Sequence, residues 1–162
     1  MKPLLRLPLW LLTAFILLVS CKKEDPLKGK LRYKVEVRVT GENLTGLGAE
    51  MSYTSIRNTL TDPKPGPSAQ YSYATRVSET YELGEFGMYD ALEVTLAMRN
   101  VTCNNAAQLG PNSWLRAEIL ANGLVIDRVE LNSASARNLS CTAPYLALVA
   151  LAGGSGGDGW DD

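Results

Sequence analysis

The chain has 162 residues, 46% hydrophobic and 20% charged, with 16 basic residues against 17 acidic and a formal charge of −1. That composition fits one globular domain and offers no basic field for nucleic acid. Histidine is absent altogether, which removes the commonest general acid–base and the commonest metal ligand together.

Residues 1–20, MKPLLRLPLWLLTAFILLVS, carry Lys2 and Arg6 and then an almost unbroken apolar run from Leu9 to Val19. A membrane span takes about 20 apolar residues and this run is roughly half of that, so the segment reads as a signal peptide. Leu18-Val19-Ser20-Cys21 resembles the bacterial lipobox: an apolar residue, a variable one, a small one, then cysteine. The resemblance implies that the Cys21 thiol is diacylglycerylated, that the peptide is cut before it, and that the new amine is acylated. Sulfur carries the thioether, and Ser20 suits a cleavage pocket for small residues. Several acyl chains hold a protein to a bilayer where one is marginal. The next four residues, Lys22-Lys23-Glu24-Asp25, resemble the lysine-then-acid signal that sends Bacteroidota lipoproteins to the outer face of the outer membrane. Without that signal they are a solvated tether and the anchor faces the periplasm. Residues 21–30 are read as the lipidated tether and 31–152 as the folded domain.

The domain alternates with period two. From Leu31 to Thr40 every odd position (Leu31, Tyr33, Val35, Val37, Val39) is apolar and every even one is polar, the pattern of a half-buried antiparallel strand. Ala49–Tyr53, Tyr71–Val77 and Leu92–Arg99 repeat it. The segment 61–70 contains Pro63, Pro65 and Pro67, which forbid a central strand and read as a stiff loop. Loop 100–113 holds Cys103. Leu115–Ala121 and Leu124–Leu131 flank Asn122-Gly123, the strongest short hairpin signal. A two-residue turn there pairs Glu118 with Asp127, like charge against like; a one-residue slip pairs Arg116 with Glu130 and Glu118 with Arg128. Both registers stay open, the tight turn being favoured for its geometry. Pro144–Ala152 is nearly all apolar, as in a strand buried on both faces. Residues 153–162, GGSGGDGWDD, read as a flexible Gly/Asp-rich tail.

With Cys21 lipidated, Cys103 and Cys141 form an even pair in an oxidising compartment, and a disulfide between them is the expectation. Seven strands at this spacing point to an all-β fold, a single antiparallel Ig-like β-sandwich. The order of elements resembles the small β-sandwich lipoproteins related to the accessory subunits of mycobacterial RND exporters. The matching features are the strand Tyr33–Gly41, the short strand Glu50–Tyr53, the strand Leu92–Asn100, and the Ile119–Val129 unit followed by small residues from Ser133 to Ser140. That family implies an Ig-like fold and an envelope role, and it brings no catalytic residues.

Other chemistries find little to work with. A serine or cysteine nucleophile needs an adjacent base, and no supporting motif is present. Zinc lacks ligands once Cys21 is lipidated and the other two cysteines pair. Glu82 and Glu85 read as solvated acids rather than a glycosidase pair. Asp158, Asp161 and Asp162 lack the ligand spacing of a calcium loop. Trp160 reads as part of a frayed end, its alternative being a partner contact. Tyr71, Tyr73 and Tyr81 read as strand-face packing, their alternative being a sugar-stacking face. The expectation is a non-enzymatic, outer-membrane-anchored binding or assembly module, facing the cell surface, with no metal and no cofactor. Its partners would be membrane lipid through acylated Cys21 and an envelope protein or glycan. The alternative is an accessory subunit of an envelope transport or export system.

Overall fold

A computed structural model of the chain describes residues 32–103, 105–138, 144–154 and 160. Cys21 and Lys22, Lys23, Glu24 and Asp25 lie outside the described residues, as do residues 1–20 and Cys141.

Among the described residues, eight strands form two four-stranded antiparallel sheets. They are β1 (Arg32–Glu42), β2 (Ala49–Arg57), β3 (Lys64–Tyr73), β4 (Val77–Gly87), β5 (Ala91–Thr102), β6 (Trp114–Ala121), β7 (Leu124–Leu131) and β8 (Tyr145–Gly153), with one short helix, α1 (Ser135–Asn138), before β8. One sheet has the order β4-β1-β6-β7 and the other β3-β2-β5-β8. The core lies between them because period-two alternation aims one set of side chains inward. Tyr33, Val35, Val37 and Val39 of β1 face Met51 of β2 and Leu92, Val94, Leu96 and Met98 of β5 across that core, all buried.

The all-β sandwich is as expected, with eight strands in place of seven, and three local readings are corrected. The strand expected over Tyr71–Val77 is two strands. Tyr73 ends β3, residues 74–76 turn, and Val77 starts β4. The supposed proline loop is largely strand: β3 runs through Pro65 and Pro67. Its place at a sheet edge tolerates residues with no N–H to give. Pairing skips Ser55, from Thr54↔Ser68 to Ile56↔Pro65. The Ser55 hydroxyl donates to the Pro67 carbonyl at 2.8 Å and closes that gap. Finally, β8 is an edge strand with one buried face. Leu146, Ala150 and Ala152 point inward, whereas Val149 and Leu151 are half exposed.

The Asn-Gly hairpin satisfies both competing demands. Ala121 pairs Leu124 across a two-residue turn, with Asn122 at φ 51° and Gly123 at φ 82°, the conformation such a turn requires. A bulge at Ile126 then shifts the register, so Glu118 meets Arg128 and Arg116 meets Glu130. The tight-turn pairing of Glu118 with Asp127 is therefore overturned, although the tight turn itself stands. The cause is the core: without the bulge Arg128 would stand opposite buried Ala117, and with it Val129 does.

Candidate functional site

The register places the start of β1, the β2–β3 loop, the β4–β5 turn, the β6–β7 turn and the exit of β8 at one end of the sandwich. The chain enters the described fold there, at Arg32, so this is called the entry end. Cys103 and the end of β5 lie at the far end, where the Cys103 N–H donates to the Pro144 carbonyl at 3.3 Å.

The entry end is built on a stiff polar frame. The Asp90 carboxylate accepts from Arg57 Nη1 at 2.7 Å, the Gly87 N–H at 2.7 Å and the Asn58 N–H at 2.9 Å. Burial pushes the Asp90 carboxyl up, but these donors outweigh it and hold it below its ordinary value. The Arg57 guanidinium lies over the Phe86 ring, 3.9 Å from its centroid. Trp160 completes the frame. Its ring stacks 5.7 Å from Tyr33 and sits edge-on 5.4 Å from Phe86, and its Nε1 donates to the Asp90 carbonyl at 3.0 Å. Gly153, at φ 71°, leaves the space for it, since a Cβ there would stand 2.3 Å from Trp160 Nε1. The reading of Trp160 as a frayed end is thus corrected: the side chain is 2% exposed. The neighbouring tail residues 155–159, 161 and 162 lie outside the described residues.

On this frame stands a rim of apolar side chains. Eight large apolar residues are exposed among the described residues, and all but Val149 belong to the entry end. Ile56 and Leu60 come from the end of β2 and its loop, Met88 and Tyr89 from the β4–β5 turn, Leu124 and Val125 from the β6–β7 turn, and Leu151 from β8. Beside them a groove of about 310 Å³ runs over the outer face of β2, β5 and β8, between Ile56, Thr59, Ala91, Leu151 and Gly154. Sequence reading missed this rim because its members are scattered among turns. The available signal was an apolar pair, Met88-Tyr89 or Leu124-Val125, at each turn on one end.

The tyrosines close one side of the sandwich, where the edge strands β3 and β4 meet. Tyr71 and Tyr81 pack with centroids 4.1 Å apart, and the Tyr73 and Tyr81 hydroxyls are 3.0 Å apart. Tyr81 donates to Glu79. Burial pushes the Tyr73 hydroxyl up to about 12. Strand-face packing is what these rings do. The opposite side is closed by Asp127, whose carboxylate accepts the Leu151 N–H of β8 at 2.9 Å.

Glu82 and Glu85 stand exposed on β4 as ion-pair partners of Lys34 at 3.3 Å and Arg32 at 3.7 Å. Among the described residues, no three His, Cys, Asp or Glu side chains converge as metal ligands, and no helix is long and apolar enough to cross a membrane. Cys103 is not without a partner, and Cys141 lies outside the described residues. Comparison with known proteins finds no matching family, no matching curated protein and no matching solved structure.

Proposed function

We propose that the protein is an outer-membrane lipoprotein whose sandwich serves as a non-enzymatic binding or assembly module of the cell envelope. The observation that carries this reading is Leu18-Val19-Ser20-Cys21, an apolar-to-small run ending in cysteine, some ten residues ahead of the first strand. On this reading Cys21 is the attachment point, Lys22 to Asp25 direct the domain to the cell surface, and residues 21–30 are the tether. The sandwich then holds its partner, an envelope protein or glycan, without turnover. The Cys103–Cys141 disulfide belongs to the same reading, supported by the N–H that Cys103 donates three residues beyond Cys141, to Pro144.

Metabolic labelling with palmitate tests the premise. Label enters the wild-type protein and is lost in Cys21→Ala; label retained in that variant overturns the reading. The competing role, accessory subunit of an exporter, draws on the ordered series β1, β2, β5 and the Asn122-Gly123 hairpin. Co-purification of an exporter component with the lipidated protein would favour it.

A further inference from the structure

We infer that the entry end of the sandwich lies against the lipid bilayer, its apolar rim seated in the headgroup boundary. The inference rests on the lipoprotein reading and adds an orientation and a second membrane contact to it. Three observations support it.

The first is where the exposed apolar side chains are. Leu60, Met88, Tyr89, Leu124 and Val125 come from three separate turns, and the fold gathers them at one end. Exposed apolar groups on a soluble surface are ordinarily scattered; a set gathered at one end points to a contact. The second is where the chain enters. Cys21 precedes Arg32 by eleven positions, so covalent geometry keeps the lipid within at most about 40 Å of Arg32. Strand β1 is 11 residues long, which is about 35 Å from the entry end to the far end. Seating the far end on the bilayer would stretch the tether along the whole domain, whereas seating the entry end leaves it slack.

The third is charge. Three cations at the entry end are paired one to one: Arg57 with Asp90 at 2.7 Å, Lys64 with Asp62 at 2.9 Å, and Arg32 with Glu85 at 3.7 Å. Lys34 is shared by Glu36 and Glu82, so no basic excess draws this end to anionic headgroups; apolar burial has to drive the contact, with Tyr89 suited to the interface by its ring and hydroxyl. The polar frame beneath, pinned by Trp160, keeps the turns in register while they make it.

The test uses the mature, lipidated protein in phosphatidylethanolamine–phosphatidylglycerol vesicles that carry bromine high on the acyl chains, where it quenches tryptophan. Leu60→Trp and Val125→Trp put a reporter in the rim, and Thr75→Trp puts one at the exposed far end. Each is read as the emission it adds to the parent protein. The added emission at positions 60 and 125 should be at least halved by the brominated lipid, and that at 75 unchanged. Equal quenching at all three, or none at 60 and 125 in protein that floats with the vesicles, overturns the inference and leaves the anchor standing. So does protection of positions 60 and 125 that accompanies cross-linking into dimers, since a second copy then covers the rim. Protein that does not float with the vesicles removes the lipoprotein reading and this inference together.

Discussion

Asp90 ties the ends of β2 and β4 together through one carboxylate, accepting hydrogen bonds from the Arg57 guanidinium, the Asn58 N–H and the Gly87 N–H. Burial alone would raise its pKa, and the three donors bring it below the ordinary value. Glu130 behaves alike: burial raises it, while Asn132 and Arg116 lower it further. A carboxylate whose folded pKa is depressed contributes stability above its unfolded pKa and loses it as pH falls toward the folded one. Stability should therefore be flat above about pH 5 and fall below about pH 4. Urea unfolding across that range measures it. Asp90→Asn should flatten part of the acid limb and cost about 1–2 kcal/mol at neutral pH, because it leaves the Arg57 charge without its partner. A variant with an unchanged acid limb would show that Asp90 is not one of the groups responsible.

At the scale of elements the β6–β7 hairpin is the most informative. Its turn chemistry demands a two-residue connection and its core pattern demands a register one residue away, and the Ile126 bulge grants both. The shifted register places Arg116 Nη2 at 2.6 Å from Glu130. A double-mutant cycle with Arg116→Ala and Glu130→Ala should give a coupling of about 0.5 kcal/mol, modest because both side chains are part-exposed. A coupling of zero would show that the pair adds nothing measurable to stability. The bulge was within reach of the sequence, since only the shifted register sets Val129 and Leu131 opposite Ala117 and Leu115. Strands with clean alternation, β1, β5 and β6, were legible for the same reason. Strand β4 was not, because pairing skips Leu83 between Gly84 and Glu82, so Phe86 and Tyr81 fall out of a single alternation. Strand β8 misled through composition: apolar residues on both faces read as double burial, yet one face is the exposed one that carries Leu151. Of the candidate site, the sequence offers the proposed anchor at Cys21 and hides the rim, because turns from distant parts of the chain meet only after folding.

The whole molecule has two unlike ends. The entry end is apolar-rimmed and pinned by Trp160; the far end carries Cys103 and the long connections, including the 132–144 segment that contains α1. Long connections carry the larger entropy cost of ordering, so a covalent tie there has the most to constrain. A Cys103–Cys141 bridge would fasten the end of β5 to the approach of β8, alongside the hydrogen bond from Cys103 to Pro144. It would close a loop of about 38 residues, for which the chain-entropy treatment gives roughly 3–4 kcal/mol. The Cys103→Ser, Cys141→Ser double variant should still fold, because the apolar core between the sheets is built without Cys103. It should lose about 2–4 kcal/mol in urea unfolding. The oxidised mature protein, unfolded in denaturant, should show no free thiol, and two free thiols would sink the pairing. Because this tie lies at the far end, its loss should leave the quenching of Leu60→Trp by brominated lipid unchanged, so the two ends can be tested apart.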